Sequence, residues 1–188
     1  MTSANDLEIE AALAGAALAT LERSLSDREV VAAKHCVRDW LGCTIAGAKA
    51  PPATILADAF RDELGTGRAI VFCGPTFASP NLAALINGTA AHSAELDDIY
   101  SPALYHPGAP VIAAALAATE IGDRRGDTFI RAVIAGYEIS NRIGTAVNPH
   151  HYEFWHTTGT VGTLGAAIAA SCANFIKLGA PLLFHFAG

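Results

Sequence analysis

The residues best equipped for chemistry fall between His92 and Pro110. This stretch holds three carboxylates (Glu95, Asp97, Asp98), two histidines (His92, His106) and two tyrosines (Tyr100, Tyr105), with alanine-rich apolar sequence on either side. A histidine titrates near neutral pH, so His106 is a candidate general acid or base. It directly precedes Pro107-Gly108 at the start of an apolar run, where the free N–H groups of a new helix would favour an anion. The bland alternative is a loop histidine with no role. His156 stands in the same relation to Thr157-Thr158-Gly159-Thr160, whose hydroxyls and amides could hold a carboxylate. Asp97 and Asp98 are adjacent. On a helix they would point about 100° apart and form no close acid pair, and one of them is expected to accept backbone N–H groups at Tyr100 or Ser101. A second chemistry is a metal site. His92, Glu95 and Asp98 form an H-x-x-E-x-x-D pattern whose members share one helical face, though no matching second motif accompanies it.

These groups need a scaffold, and the apolar periodicity supplies one. Leucine and alanine at three- and four-residue spacing predict a helix over Leu7–Leu25. Ser26 reads as the N-cap of a second, running to Ala46 and ended by Gly47, with Asp27 and Glu29 in its first turn. Pro51-Pro52 opens a third, Ala53–Leu64. Ala69–Cys73 reads as a single short β segment between glycines. Ser79 then caps a helix that carries the titratable groups as far as about Asp98, where Pro102, Pro107, Gly108 and Pro110 impose a loop. Helices over Gly108–Ile121, Thr128–Val147 and Thr157–Phe175 follow, the last two separated by Asn148-Pro149 and a polar loop, His150–His156. Gly159, Gly162, Gly165, Ala166 and Ala169 recur at helical spacing in the last helix, implying either close approach of another backbone or a ligand. The fold class expected is therefore all-α, a multi-helix domain with at most one short β segment.

Composition narrows the function classes. The chain has 188 residues, 52% hydrophobic and 16% charged, enough for one domain with a sizeable core and too apolar for disorder. So high an apolar share suggests surface buried against a partner subunit or a further domain. A formal net charge of −6 without any Lys/Arg run argues against nucleic acid. Cys36, Cys43, Cys73 and Cys172 show no C-x-x-C spacing and read as reduced thiols of a cytoplasmic protein, with Cys36 and Cys43 on one buried face. Asp6, Glu8 and Glu10 stand where a signal peptide would be basic, and the apolar runs are too short and interrupted for a membrane span. Leu178–Gly188 is apolar, with His185 between two phenylalanines, and reads as a truncated or altered end.

The ordered motifs carry a family resemblance. Asn87-Gly88-Thr89-Ala90-Ala91-His92-Ser93-Ala94-Glu95-Leu96-Asp97-Asp98 resembles the NG-x-x-x-H-x-x-(D/E)-x-DD segment of the MmgE/PrpD family, which includes 2-methylcitrate dehydratase, cis-aconitate decarboxylase and iminodisuccinate epimerase. The likeness continues through Asp39-Trp40-Leu41-Gly42-Cys43, His106-Pro107-Gly108-Ala109, Ala135-Gly136-Tyr137-Glu138 and His156-Thr157-Thr158-Gly159-Thr160-Val161-Gly162. It implies the partial N-terminal helical domain of a cytoplasmic, homodimeric, metal-independent lyase of small di- or tricarboxylates, either a hydro-lyase or a carboxy-lyase, with no cofactor. By the same resemblance His106, His156 and Glu95 are catalytic, and Asp98, Thr157, Thr158 and Gly159 bind substrate. Ile99 stands where relatives often have Thr, which removes a hydroxyl and leaves the substrate open. The family's active-site lysines and lid domain would lie downstream of Gly188, so the chain is expected to be inactive alone. The competing expectations are a non-catalytic shortened paralogue acting as a subunit or binding module, and a fragment of an epimerase.

Overall fold

In a computed structural model, residues 4–123 and 125–175 are described. They form seven α-helices: α1 (Ala4–Glu22), α2 (Asp27–Gly47), α3 (Pro51–Ala59), α4 (Pro80–His92), α5 (Gly108–Ile121), α6 (Gly126–Val147) and α7 (Thr157–Phe175). The all-α expectation holds. The β segment, however, does not stand alone. Strand β1 (Ala69–Val71) pairs antiparallel with β2 (Thr76–Ala78), with Ala69 opposite Ala78 and Val71 opposite Thr76, one strand more than the sequence suggested. No described helix is long and apolar enough to cross a membrane.

Local chemistry sets the helix ends. Ser26 Oγ accepts from the Glu29 N–H at 3.3 Å while the Ser26 N–H donates to Glu29 Oε2 at 2.8 Å, a reciprocal capping box that starts α2. Helix α1 stops at Glu22, three residues short of the expected Leu25. The carbonyls of Thr20 and Arg23 accept from Arg131 of α6 at 3.1 and 2.7 Å, so a cation from another helix satisfies the groups left over where α1 ends. Helix α3 begins on Pro51, as its two prolines require, but ends at Ala59, and Arg61–Glu63 tightens into a 3-10 turn before Leu64. Ser79 caps α4 through the Leu82 N–H. The hairpin is fastened from the helices. Asn87 of α4 accepts from the Phe72 N–H at 3.0 Å and donates to the Ile70 carbonyl at 2.8 Å, and Glu120 of α5 accepts from the Ile70 N–H at 2.9 Å.

Helix α5 runs through the middle, packed against α4, α6 and α7. Val111, Ile112, Ala115 and Ala118 lie in one buried cluster with Ile139 of α6 and Ala169 and Cys172 of α7. Removing Ile112 or Ile139 from water contributes about 1.5–3 kcal/mol each. The small residues of α7 answer the question the sequence posed. A Cβ on Gly165 would sit 2.8 Å from Val111 Cγ2 and 2.9 Å from Ser140 Cβ, so at this position the helix is thinned to let two neighbours in. At Gly159, in the first turn, the same test meets nothing within 4 Å. The four cysteines are free. Cys43, Cys73 and Cys172 are buried, whereas Cys36 is half-buried, so the expected shared buried face is only partly so. Burial pushes the Cys172 thiol up to about 12. Leu178–Gly188 lies outside the described residues.

Candidate functional site

The site is built where α4 stops. Sequence reading carries this helix to about Asp98, but it ends at His92. Ser93 Oγ bonds back to the Thr89 carbonyl at 2.7 Å, and the Glu95 N–H reaches the His92 carbonyl at 3.1 Å. Glu95 then takes φ 47°, in the left-handed region, and the chain doubles back. That reversal brings Asp97 beneath His92. Both Asp97 carboxylate oxygens lie 3.1 Å from His92 Nδ1, and the Asp97 side chain is 1% exposed.

The rest of the loop is anchored just as firmly. Asp98 Oδ1 accepts the Gly108 N–H at 3.0 Å and Oδ2 accepts the Tyr137 hydroxyl at 2.9 Å. A Cβ on Gly108 would come within 2.5 Å of Asp98 Oδ1, so glycine is what allows the carboxylate to close on the first N–H of α5. Burial raises the Asp98 carboxyl above its ordinary value, with the bonds from Tyr137 and Gly108 pulling the other way. The expected bonds to Tyr100 or Ser101 are not made. The Tyr100 N–H instead meets the Tyr105 carbonyl at 2.8 Å, closing the loop on itself. Leu104 is the second left-handed residue of the loop, at φ 49°. Tyr105 is fully buried, its hydroxyl 2.6 Å from Ser140 Oγ.

His106 follows, with Nδ1 3.2 Å from the Asp97 carbonyl and 3.5 Å from Asp97 Oδ1. Its backbone N–H donates to Thr158 Oγ1 at 3.2 Å, tying this loop to the start of α7. The centroids of the His92 and His106 rings are 4.8 Å apart. The His156 ring lies 6.3 Å from His92 on a plane inclined by 28°. His92 is thus the middle of a row of three imidazoles. Beside it opens a cleft of about 820 Å³, lined by His92, Glu95, Thr158, Thr163, Thr89 and Pro110 among others. That is room for a small ligand. No Lys or Arg is among the described residues lining it.

The residues singled out from sequence therefore fare differently. His106 and His156 lie beside the His92 ring without lining the cleft themselves, whereas Glu95 lines it together with His92; Glu95 and His156 are exposed. Thr158 reaches the cleft with its hydroxyl already accepting from His106. Gly159 is exposed at the first turn of α7. Thr157 is fully buried and its hydroxyl has no partner among the described residues. Asp98 has committed both oxygens to holding the loop. The H-x-x-E-x-x-D set dissolves, because the helix that would have aligned it ends at its first member. A different trio takes its place: ligand atoms of His92, Asp97 and His106 lie within 4.8 Å of one another, a nitrogen–oxygen set of the sort a divalent ion could use. Sequence reasoning weighed His92 only as a metal ligand and gave Asp97 no role beyond holding the loop. The signal was a His and an Asp five residues apart across a helix end, a spacing that helical periodicity reads as opposite faces.

Comparison with known proteins places these features in context. A model of the MmgE/PrpD N-terminal domain matches residues 11–180. A cis-aconitate decarboxylase-like protein, oryM, of Aspergillus oryzae is 30% identical over 148 residues, covering 74% of this chain and 31% of that protein. Human cis-aconitate decarboxylase is 30% identical over 154 residues, 78% of this chain and 32% of the relative. The mouse enzyme is 34% identical over 103 residues, 49% of this chain and 20% of the relative. The chain spans about a third of the length of the first two.

Proposed function

The chain belongs to the MmgE/PrpD family, and on that premise we propose that it carries the histidine side of a lyase site for small di- or tricarboxylates, of the cis-aconitate decarboxylase or 2-methylcitrate dehydratase kind. The observation that carries this reading is the pair of rings, His106 and His156, set against His92, which itself lines a cleft of suitable size. Decarboxylation beside other carboxylates needs a proton delivered to carbon as carbon dioxide departs. Dehydration needs one proton removed and another given to the leaving hydroxyl. Either is work for positioned imidazoles. In this reading His106 and His156 move protons, Glu95, which lines the same cleft as His92, faces the reacting carbon, and Thr158 and Gly159 at the α7 N-terminus receive a substrate carboxylate. Asp98 acts behind them by holding the loop between α4 and α5 in place.

A trianion also needs positive charge, and the described lining has none. The reading therefore includes a cationic contribution from outside these residues, in a longer chain or a second copy. Exposed Leu85, Leu96, Ile99 and Leu104 around the site loop support association. A cytoplasmic homodimer that works without metal or cofactor is the form we propose.

The deciding experiment is a panel of cis-aconitate, 2-methylcitrate, citrate and iminodisuccinate, offered to the 188-residue chain and to a version extended by the downstream portion of a relative. Turnover of the first or second by the extended form, lost by roughly 10²–10⁴-fold in His106→Ala, is the expected result. Turnover of iminodisuccinate alone would make it an epimerase. Binding without turnover in both forms would leave a non-catalytic subunit.

A further inference from the structure

We propose that Asp97 is a positioning residue for two histidines at once, its carboxylate fixing His92 and its backbone carbonyl fixing His106, and that His92 is thereby a third working imidazole of the site. The argument is one of donors and acceptors. An ionised carboxylate and a backbone carbonyl can only accept. Asp97 Oδ1 and Oδ2 both lie 3.1 Å from His92 Nδ1, and the Asp97 carbonyl lies 3.2 Å from His106 Nδ1. Each Nδ1 must therefore carry the hydrogen, and each neutral ring keeps its lone pair on Nε2. One residue thus sets the same tautomer in two rings whose centroids are 4.8 Å apart.

Burial makes this arrangement binding on the protein. A carboxylate 1% exposed and without partners costs several kcal/mol. The ion-pair partners of Asp97 among the described residues are His92 and His106, with no Lys or Arg. When Nε2 of either ring takes a proton from a substrate, the resulting imidazolium already lies against a buried negative charge, which neither moves nor needs to shed water. Glu95 and His156, both exposed, have no such support. His92 lines the cleft directly, so its Nε2 belongs to the reacting surface and is more than a spacer between His106 and His156.

This inference rests on the lyase reading for its purpose, though not for its geometry. The test is long-range ¹H–¹⁵N correlation on the chain labelled at histidine, at alkaline pH, comparing wild type with Asp97→Asn. In the wild type, His92 and His106 should both show a protonated Nδ1 and a bare Nε2. Asparagine offers one acceptor and one NH₂ donor where the carboxylate offered two acceptors, so His92 should move towards the Nε2–H form. His106 should keep its tautomer, because its backbone acceptor survives the substitution. A wild-type spectrum with either ring mainly in the Nε2–H form overturns the inference, as does an Asp97→Asn spectrum in which His92 is unchanged. So do His92 and His106 signals that shift on adding a chelator, because the trio would then be holding an ion. Should Asp97→Asn fail to fold, the wild-type tautomers decide. Absence of turnover with the expected tautomers would sink the lyase reading alone; turnover with the wrong tautomers would sink this one alone.

Discussion

The loop joining α4 to α5 and the loop joining α6 to α7 each bring a histidine to the same row of rings, and they are held in opposite ways. The first is fastened from inside. Asp97 and Tyr105 are buried, Asp98 clamps the start of α5, and Tyr100 pairs with Tyr105 across the turn. The second lies on the surface. Residues 152–156 are all exposed, with Phe154 at 76% and Trp155 at 63%, and the backbone N–H bonds of this segment stay within a 3-10 turn. Its side-chain bonds outward are few: Thr160 of α7 meets His151 Nε2 and the His156 carbonyl, and Asn148 Nδ2 donates to the Pro102 carbonyl at 3.4 Å. His106 is accordingly fixed by contacts within the fold, whereas His156 is carried on a segment whose large apolar groups, Phe154 and Trp155, are exposed among the described residues. On the proposed lyase reading, the inwardly fastened loop would set the proton-transfer atoms and the surface loop would adjust to the substrate.

The widest gap between the two loops should appear in their aromatic residues. Tyr105→Ala removes a fully buried ring and its hydrogen bond to Ser140, and should cost about 3–5 kcal/mol in denaturant unfolding. Trp155→Ala removes a larger side chain from the exposed loop and should change stability by no more than about 0.5 kcal/mol. Equal losses at the two positions would mean that the second loop is packed against something after all, and a self-associated chain would be the first place to look.

Asp98 gives the next test. Asp98→Ala leaves the Gly108 N–H and the Tyr137 hydroxyl without their acceptor in a half-buried place, at a cost of about 1–3 kcal/mol. Truncating Glu153, an exposed acid of the second loop, should be close to neutral. The pH dependence carries a sign. Because burial raises the Asp98 carboxyl, the folded chain holds its proton more tightly than the unfolded chain does. Its contribution to stability is therefore greatest below the unfolded value and declines as pH rises from the ordinary 3.8 through the raised folded value. Asp98→Asn should remove that decline. A stability difference between wild type and Asp98→Asn that stays flat with pH across this window would show that burial does not govern this carboxylate.

Much of the scaffold was legible because its signals are local. Ser26 with Glu29, Pro51-Pro52, Ser79 and Asn148-Pro149 each fix a helix end by a bond or a missing bond within a few residues, and these boundaries fell where expected to within a residue or two. What escaped was decided by distant partners. Strand β2 has only three residues and exists because Ala69–Val71 pairs with it, held in place by Asn87 and Glu120 from two helices. At the site, the histidines were visible as types and positions. The partnership of His92 with Asp97 was not, because it depends on α4 ending at a serine and a glutamate rather than at any glycine or proline.

That unmarked helix end supplies the smallest effect, and it separates the two uses of Glu95. The residue adopts φ 47°, where an L side chain costs about 1–2 kcal/mol relative to a right-handed conformation and glycine costs little. Its carboxylate forms no side-chain hydrogen bond or ion pair with the described residues and it is exposed, so the fold gains little from the side chain. Glycine at this position should then leave stability unchanged or raise it by up to about 1 kcal/mol, offset in part by the greater freedom of glycine in the unfolded chain. Thermal unfolding of Glu95→Gly measures this directly. A rise or no change, with the His92–Asp97 contact retained, would mean that the strained residue is kept at the cleft for what its carboxylate does there. A loss of more than 1 kcal/mol would mean that Glu95 instead supports the reversal that brings Asp97 under His92, and its place in the chemistry would have to be argued again.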